Sequence, residues 1–442
     1  MQRFIHVSLA LILLSPFTVF TSKAQSGNIS GTAASGGTTL TLTQCQEQAR
    51  SNYPLIQQYG LIDRSESYTL ANAEKGYLPQ LTFTGKATYQ SEVTKLSISI
   101  PGITVKGVSK DQYQALAEVN QIVWDGGAIR SQKSLSKVQA EVKRKTLEQD
   151  LYTLNDRVNQ LFFGILLQQA QLQQNTLKQE ELQRNYKQIK SCLEGGIAEE
   201  SDLEAIEVEE LSTTQKQIEL EATGKAYCEM LSLLTGKKGI KPTELEKPKS
   251  LVPDVSLENS RPELALFQAQ SQALEVQKLS IKSKIAPKIG LFLQGGYGRP
   301  GLNSLKNEFT PYYLGGVRMS WNLGNLYTQR NELRDLSVQQ ENIGVLRENF
   351  LFNTQLQVAQ QRNEIEKSQR LATDDDHIIE LRARLLKASE AKVAGGTLTV
   401  TEMLRQLTAL DLARQNKVTH EIQLLWSQYN QNYLTNNTPS HE

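Results

Sequence analysis

One heptad frame runs unbroken through the chain: Leu147, Leu151, Leu154, Val158, Leu161, Ile165, Gln168, Leu172, Asn175, Gln179, Leu182, Tyr186, Ile189 and Leu193. Eleven of these fourteen positions are apolar, spaced alternately four and three residues apart. That spacing is a coiled-coil seam rather than the face of an ordinary globular helix. The stretch is rich in Leu, Gln, Glu and Lys, which favour helix, and no proline occurs between Pro101 and Pro242. At about 1.5 Å per residue, the roughly 70 residues from Trp124 to Gly195 predict a rod of ~100 Å. A second proline-free stretch, between Pro311 and Pro439, predicts another rod from Asn322 to Gly395 with a noisier pattern.

The two rods belong to two copies of one plan. Pro54 in NYPLI and Pro79 in YLPQL are 25 residues apart, as are Pro262 in RPELA and Pro287 in IAPKI. Trp124 in IVWDGG answers Trp321 in MSWNLG, and Leu234-Thr235 answers Leu434-Thr435. The resulting division is a signal peptide at 1–24, a flexible leader at 25–40, a first repeat at 41–235, a linker at 236–260 and a second repeat at 261–436. Pro79 to Trp124 spans 45 residues and Pro287 to Trp321 spans 34, so the first copy carries 11 extra around SIPGITVKGVSKD. Insertions of this kind belong in exposed loops.

Each rod ends in a glycine pair, Gly195-Gly196 or Gly395-Gly396. Glycine tolerates the left-handed conformation that ends helices. A helical pattern resumes after each pair, through Leu203, Leu211 and Ile218 in the first copy, so each pair is read as the tip of a helical hairpin. An acid follows the second glycine by six residues in both cases, Asp202 and Glu402. The simplest role for either is a favourable place in the first turn of a helix.

Four short segments alternate as strands do. Leu81, Phe83, Ala87 and Tyr89 oppose Thr82, Thr84, Lys86 and Thr88; Tyr113, Ala115, Ala117 and Val119 oppose Gln114, Glu118 and Asn120. In the second copy Ile289, Leu291, Leu293 and Tyr297 share a face, as do Tyr313, Val317, Met319 and Trp321. About ten alternating residues is the length of a tilted membrane strand. Tyr77, Tyr89, Tyr113, Tyr312 and Trp321 fit aromatic girdles at the membrane interfaces. Four strands cannot close alone in a bilayer, where every backbone donor needs a partner. A barrel would have to be shared among chains. Ordinary hairpins on a water-soluble helical protein are the other reading of the same pattern.

The start, MQRFIHVSLALILLSPFTVFTSKAQ, reads as a secretory signal cleaved after Ala24. Removing it takes Arg3 and Lys23 from 48 basic residues and leaves 46 against 47 acidic, a net of −1. That balance offers no clustered basic face for nucleic acid. The three cysteines are read as isolated thiols. The four histidines have no metal-ligand spacing, no nucleophile motif appears, and GYGRPG at 296–301 opens no helix as a dinucleotide site would. No cofactor, metal or enzymatic activity is expected. DDDH at 374–377 is read as a solvated helix face.

The order and duplicated spacing of these motifs resemble the outer membrane efflux protein family, the TolC-like channels. The carrying features are the NYP and RPEL helix openings, YLPQL and IAPKI leading into strands, the W-D/N-x-G turns and the two GG-x5-D/E tips, over residues ~40 to 436. The resemblance implies a mainly α fold with a small β part. Long antiparallel coiled-coil helices would form a periplasmic α-barrel, and four strands per chain would join a trimeric 12-stranded outer-membrane β-barrel. It implies a homotrimeric exit duct embedded in outer-membrane lipid. Its partners would be a periplasmic adaptor (membrane fusion protein) and an inner-membrane pump, in a tripartite efflux or type I secretion system. It places the adaptor contact at Gly195, Gly196 and Ile197 and at Gly395, Gly396, Thr397 and Leu398. It places a periplasmic entrance gate at Glu402, with Asp202 as the matched acid. The next ring position holds Arg405, which departs from an all-acidic entrance, and Val393 and Leu398 fall where a polar latch between hairpins is expected. The competing class is a soluble periplasmic helical adaptor or scaffold.

Overall fold

The computed structural model describes residues 39–93, 108–251 and 259–436. The signal peptide and nearly all of the leader lie outside the described residues, as do parts of the linker and of the 11-residue insertion. Each repeat is built in the same order. The first has α1 (Leu42–Asn52), α2 (Gln58–Glu74), β1 (Gln80–Tyr89), β2 (Asp111–Trp124), α3 (Ala128–Glu194) and α4 (Glu200–Thr235). The second has α5 (Pro262–Ser283), β3 (Lys288–Arg299), β4 (Thr310–Ser320), α6 (Asn325–Ala394) and α7 (Val400–Thr435). The connection from β1 to β2 takes residues 90–110 and that from β3 to β4 takes 300–309, 21 against 10, so the 11 extra residues sit between strands.

α3 has 67 residues and α6 has 70, which makes each about 100 Å long. All fourteen heptad positions of α3 are buried or half-buried and none is exposed. α4 and α7, 36 residues each, return only part of the way. The strand-side half of α3 is completed instead by α2 and α5, and that of α6 by α5. Where the two sets meet, Phe162, Phe163, Ile165 and Leu231 form a core with Cys45, Cys228 and Ile422. Leu40 and Leu245 join it: Leu40 N–H donates to Glu244 O at 2.7 Å and Glu246 N–H to Leu40 O at 3.0 Å. Ile240 is buried in the same core, so part of the proline-rich segment between repeats is seated rather than free. All three cysteines are free thiols. Burial pushes the Cys45 thiol up to about 11.

The four strands form one antiparallel sheet in the order β1-β2-β3-β4. The register aligns Leu81, Val119, Leu293 and Gly315 across it, and Phe83, Ala117, Gly295 and Tyr313 in the next row. One face is therefore apolar and open to its surroundings, with Phe83 76% and Tyr313 82% exposed. Among the described residues its only charged side chains, Asp111 and Arg299, pair with each other at one rim. The other face carries Thr82, Thr84, Lys86, Gln114, Glu118 and Arg318. Tyr312 lies on this polar face, not in an aromatic girdle: its ring covers Gly296 and its hydroxyl accepts from Gln114 Nε2. A bare glycine on the neighbouring strand is what lets the ring lie flat there. β1 and β4 are both edge strands of this sheet.

The helix expected through Leu203, Leu211 and Ile218 is present as α4, while one residue of the DDDH run departs from the solvated face expected of it. Leu211 and Ile218 of α4 are exposed, 67% and 62%, while Ile206, Thr213, Leu220 and Leu231 face α3. The seam of α4 follows the polar-interrupted frame because that is the one facing its partner. Within DDDH, Asp375 is buried on the α6–α7 seam, 2.7 Å from His420 Nδ1, and Asp376 pairs with Lys417.

Candidate functional site at the hairpin tips

Both tips are built by the same hydrogen bonds. In the first, Gly196 N–H donates to Leu193 O at 3.0 Å and Ile197 N–H to Cys192 O at 2.8 Å. In the second, Gly396 N–H donates to Val393 O and Thr397 N–H to Lys392 O, both at 2.9 Å. This is the Schellman closure, in which a residue of positive φ satisfies the orphan carbonyls of the last turn. Only the second glycine of each pair supplies that φ, 73° at Gly196 and 69° at Gly396. Gly195 and Gly395 keep negative φ, −82° and −87°.

The acids after the tips do different work. Asp202 closes a capping box: Glu199 N–H donates to its carboxylate at 3.0 Å, while the Glu199 side chain receives the Asp202 N–H. Glu402 occupies the same position of α7, its N–H donating to the Thr399 hydroxyl at 3.3 Å. Its carboxylate makes no reciprocal bond and accepts from Gln406 Nε2 at 2.9 Å and Arg405 Nη2 at 2.8 Å. Those two bonds, Gln406 first, hold its pKa below the usual carboxylate range. Arg405 and Glu402 are thus paired within one chain, with Arg405 largely in solvent.

The two tips share one apolar core. Leu182, Ile189 and Ile206 of the first hairpin pack with Leu386, Val393, Val400, Met403, Leu407 and Leu410 of the second. Leu398 rests on this cluster, and Ile197 lies beside Gly396, whose Cβ, if it had one, would meet Ile197 Cγ2 at 3.5 Å. Apolar packing by Val393 and Leu398 thus joins the hairpins where a polar latch was expected.

Further along the rods the seam turns to charge. Lys178 of α3 is buried and reaches Glu209 of α4 at 2.6 Å and Asp411 of α7 at 3.8 Å. Arg414 of α7 donates to Glu181 of α3 at 3.0 Å, and Thr408 of α7 donates to Glu209 at 3.3 Å. Burial pushes the Asp411 carboxyl up, against the pull of Lys178. The network spans both hairpins, and sequence reasoning passed over it. The signal was available in part: folding the chain at each glycine pair sets Lys178, 17 residues before Gly195, near Glu209, 13 after Gly196.

Long paired helices carry a small sheet with one apolar face. Over residues 46–237, which is the first repeat, the sequence matches the family model of the outer membrane efflux proteins. The solved structures agree over both repeats. CusC, described for its folding and transmembrane channel formation, superposes with a TM-score of 0.68 at 14% identity, covering 89% of this chain and 91% of that one. A membrane protein from Pseudomonas aeruginosa gives 0.66 at 12% identity, covering 94% and 96%. The CmeC outer membrane channel of Campylobacter jejuni gives 0.63 at 10% identity, covering 89% and 85%. No sequence match was found among curated proteins. The resemblance read from the residues is thus matched by the outer membrane efflux protein model over the first repeat, and the fold over both repeats is that of these solved structures.

Proposed function

We propose that three copies of this chain form a passive exit duct through the outer membrane and across the periplasm, fed by an inner-membrane pump through a periplasmic adaptor. The observation that carries this reading is the sheet. Its apolar face suits lipid, yet β1 and β4 leave two open edges, of 10 and 11 residues. In lipid each unpaired backbone group costs several kcal/mol, so such a sheet persists there only when closed by other chains. Three chains of four strands give twelve, above the smallest known barrels of about eight. A soluble adaptor or scaffold has no use for that face.

Glu402 with Arg405 is proposed as the entrance ring, with Asp202 as its capped counterpart. The adaptor is proposed to grip the tips at Gly195, Gly196, Ile197, Gly395, Gly396, Thr397 and Leu398. The test is the assembly itself. Extracted from outer membranes, the protein is expected to run as a detergent-dependent trimer that dissociates only on heating. A soluble periplasmic monomer would sink the proposal.

A further inference from the structure

The polar face of the sheet is a prepared surface. Glu118 accepts from Arg318 at 3.0 Å, from Asn120 at 2.6 Å and from Gln294. The Arg318 guanidinium lies 4.6 Å over the Phe292 ring, and that ring lies against Gly316, where a Cβ would come within 3.2 Å of it. Tyr312 lies over Gly296 in the same way. Flat rings on bare glycines line the face without obstructing it, and the one carboxylate on it is consumed by the arginine. Strand parity puts Lys86 and Lys288 on this same face, and neither makes an ion pair among the described residues. Three cations against one anion leave +2 per chain.

We propose that the barrel lumen is a charge-reading segment that favours anionic solutes, with Lys86 and Lys288 as its unpaired cations and Glu118 as the charge that moderates them. This rests on the duct reading, because it needs the polar face to enclose water. Three copies give +6 on the lumen wall of the described strands. The effect is independent of the entrance, where Glu402 and Arg405 cancel within each chain.

The test reads the lumen from outside the cell, so the state of the entrance does not enter. Thr84→Cys lies on the polar face and Phe83→Cys on the apolar face. Each is treated in intact cells with a sulfonate-bearing and a trimethylammonium-bearing methanethiosulfonate, with the unaltered chain giving the background from its own cysteines. Thr84→Cys is expected to react faster with the anionic reagent and Phe83→Cys to react with neither. Adding Lys86→Gln should lower the anionic-to-cationic rate ratio about fourfold at low salt, the effect of one unit charge some 10 Å away in water on two oppositely charged probes. Glu118→Gln should raise it by a similar factor, and salt should suppress both changes. A reactive Thr84→Cys whose ratio ignores both substitutions overturns this inference and leaves the duct standing. An inert Thr84→Cys overturns the water-filled lumen, and with it both readings.

Discussion

Alanine placed at the two neighbouring glycines of one tip should have opposite effects. Gly396 holds φ at 69° and Gly395 at −87°. An L residue in the left-handed region costs about 1–2 kcal/mol. A Cβ at Gly396 would meet only Ile197 Cγ2 at 3.5 Å, an ordinary contact, so the cost there is backbone strain and not crowding. At Gly395 a Cβ would sit 3.6 Å from Ala391 O in a relaxed conformation. Alanine there narrows the unfolded ensemble and gains about 0.4–1 kcal/mol. The assay is hydrogen exchange of the Thr397 amide, which donates to Lys392 O and reports opening of the closure. Gly396→Ala should speed exchange about 5- to 30-fold, at 1.4 kcal/mol per factor of ten. Gly395→Ala should leave it unchanged or slower. Gly396→Asn separates the causes, since asparagine is larger than alanine yet tolerates positive φ. It should fall between glycine and alanine. Asparagine worse than alanine, or equal effects at both glycines, would refute the conformational argument. The first tip supplies the repeat, with φ 73° at Gly196 and −82° at Gly195.

Three other outcomes are expected. Glu402→Ala should change cation block or resting leak of the trimer in planar bilayers, and Arg405→Ala should strengthen cation block; unaltered conductance in both would remove the pair from the entrance. Gly396→Trp should leave trimers intact while abolishing pump-dependent resistance, and full resistance would count against the tips as the adaptor's docking site. Lys178→Ala strips the buried cation from half-buried Glu209 and Asp411 and should destabilise the seam by about 1–3 kcal/mol, part of it recovered by adding Asp411→Asn. Because the folded Asp411 pKa lies above its ordinary 3.8, the native state holds a proton that the unfolded chain has released just above that value. The seam should therefore tighten as pH falls through that window, and Asp411→Asn should remove this dependence, read as exchange at the tip-side half of α4.

Periodicity made much of the fold legible, because it is a property of one segment at a time. The α3 frame needed only its own 3.5-residue repeat and matched at every position, and the strand faces needed only parity, with Trp321 falling just past the end of β4. The surplus of the first β connection was visible because the second copy served as its ruler. What escaped depends on a neighbour. Tyr312 looked like a girdle residue by type and place, but its position is set by Gly296 on β3, and register between strands is not written in either strand. The helical pattern through Leu211 and Ile218 marked α4 but not its seam, which includes Thr213 and Gly224. Asp375 looked solvated within a run of acids until α7 brought His420 against it. Lys178 was hidden inside a leucine-rich frame, its partners lying on two other helices.

The matched acids show how one duplicated corner can acquire two functions. At both tips an acid is useful at the third helical position, where it faces the positive end of the helix. In the first tip the N-cap is Glu199, and Asp202 is turned back to receive its N–H. In the second the N-cap is Thr399, whose hydroxyl satisfies the Glu402 N–H without needing the Glu402 side chain. The carboxylate is then free to turn outward to Gln406 and Arg405. An exposed pair of this kind adds little stability. It does keep Glu402 ionised further into acid than an isolated glutamate, since both bonds favour the charged form. In the proposed entrance ring these carboxylates would keep their charge as the pH falls, and Arg405 would set how much of it is felt. The first tip, its acid held in a cap, is left to shape and packing, which suits the docking role proposed for it.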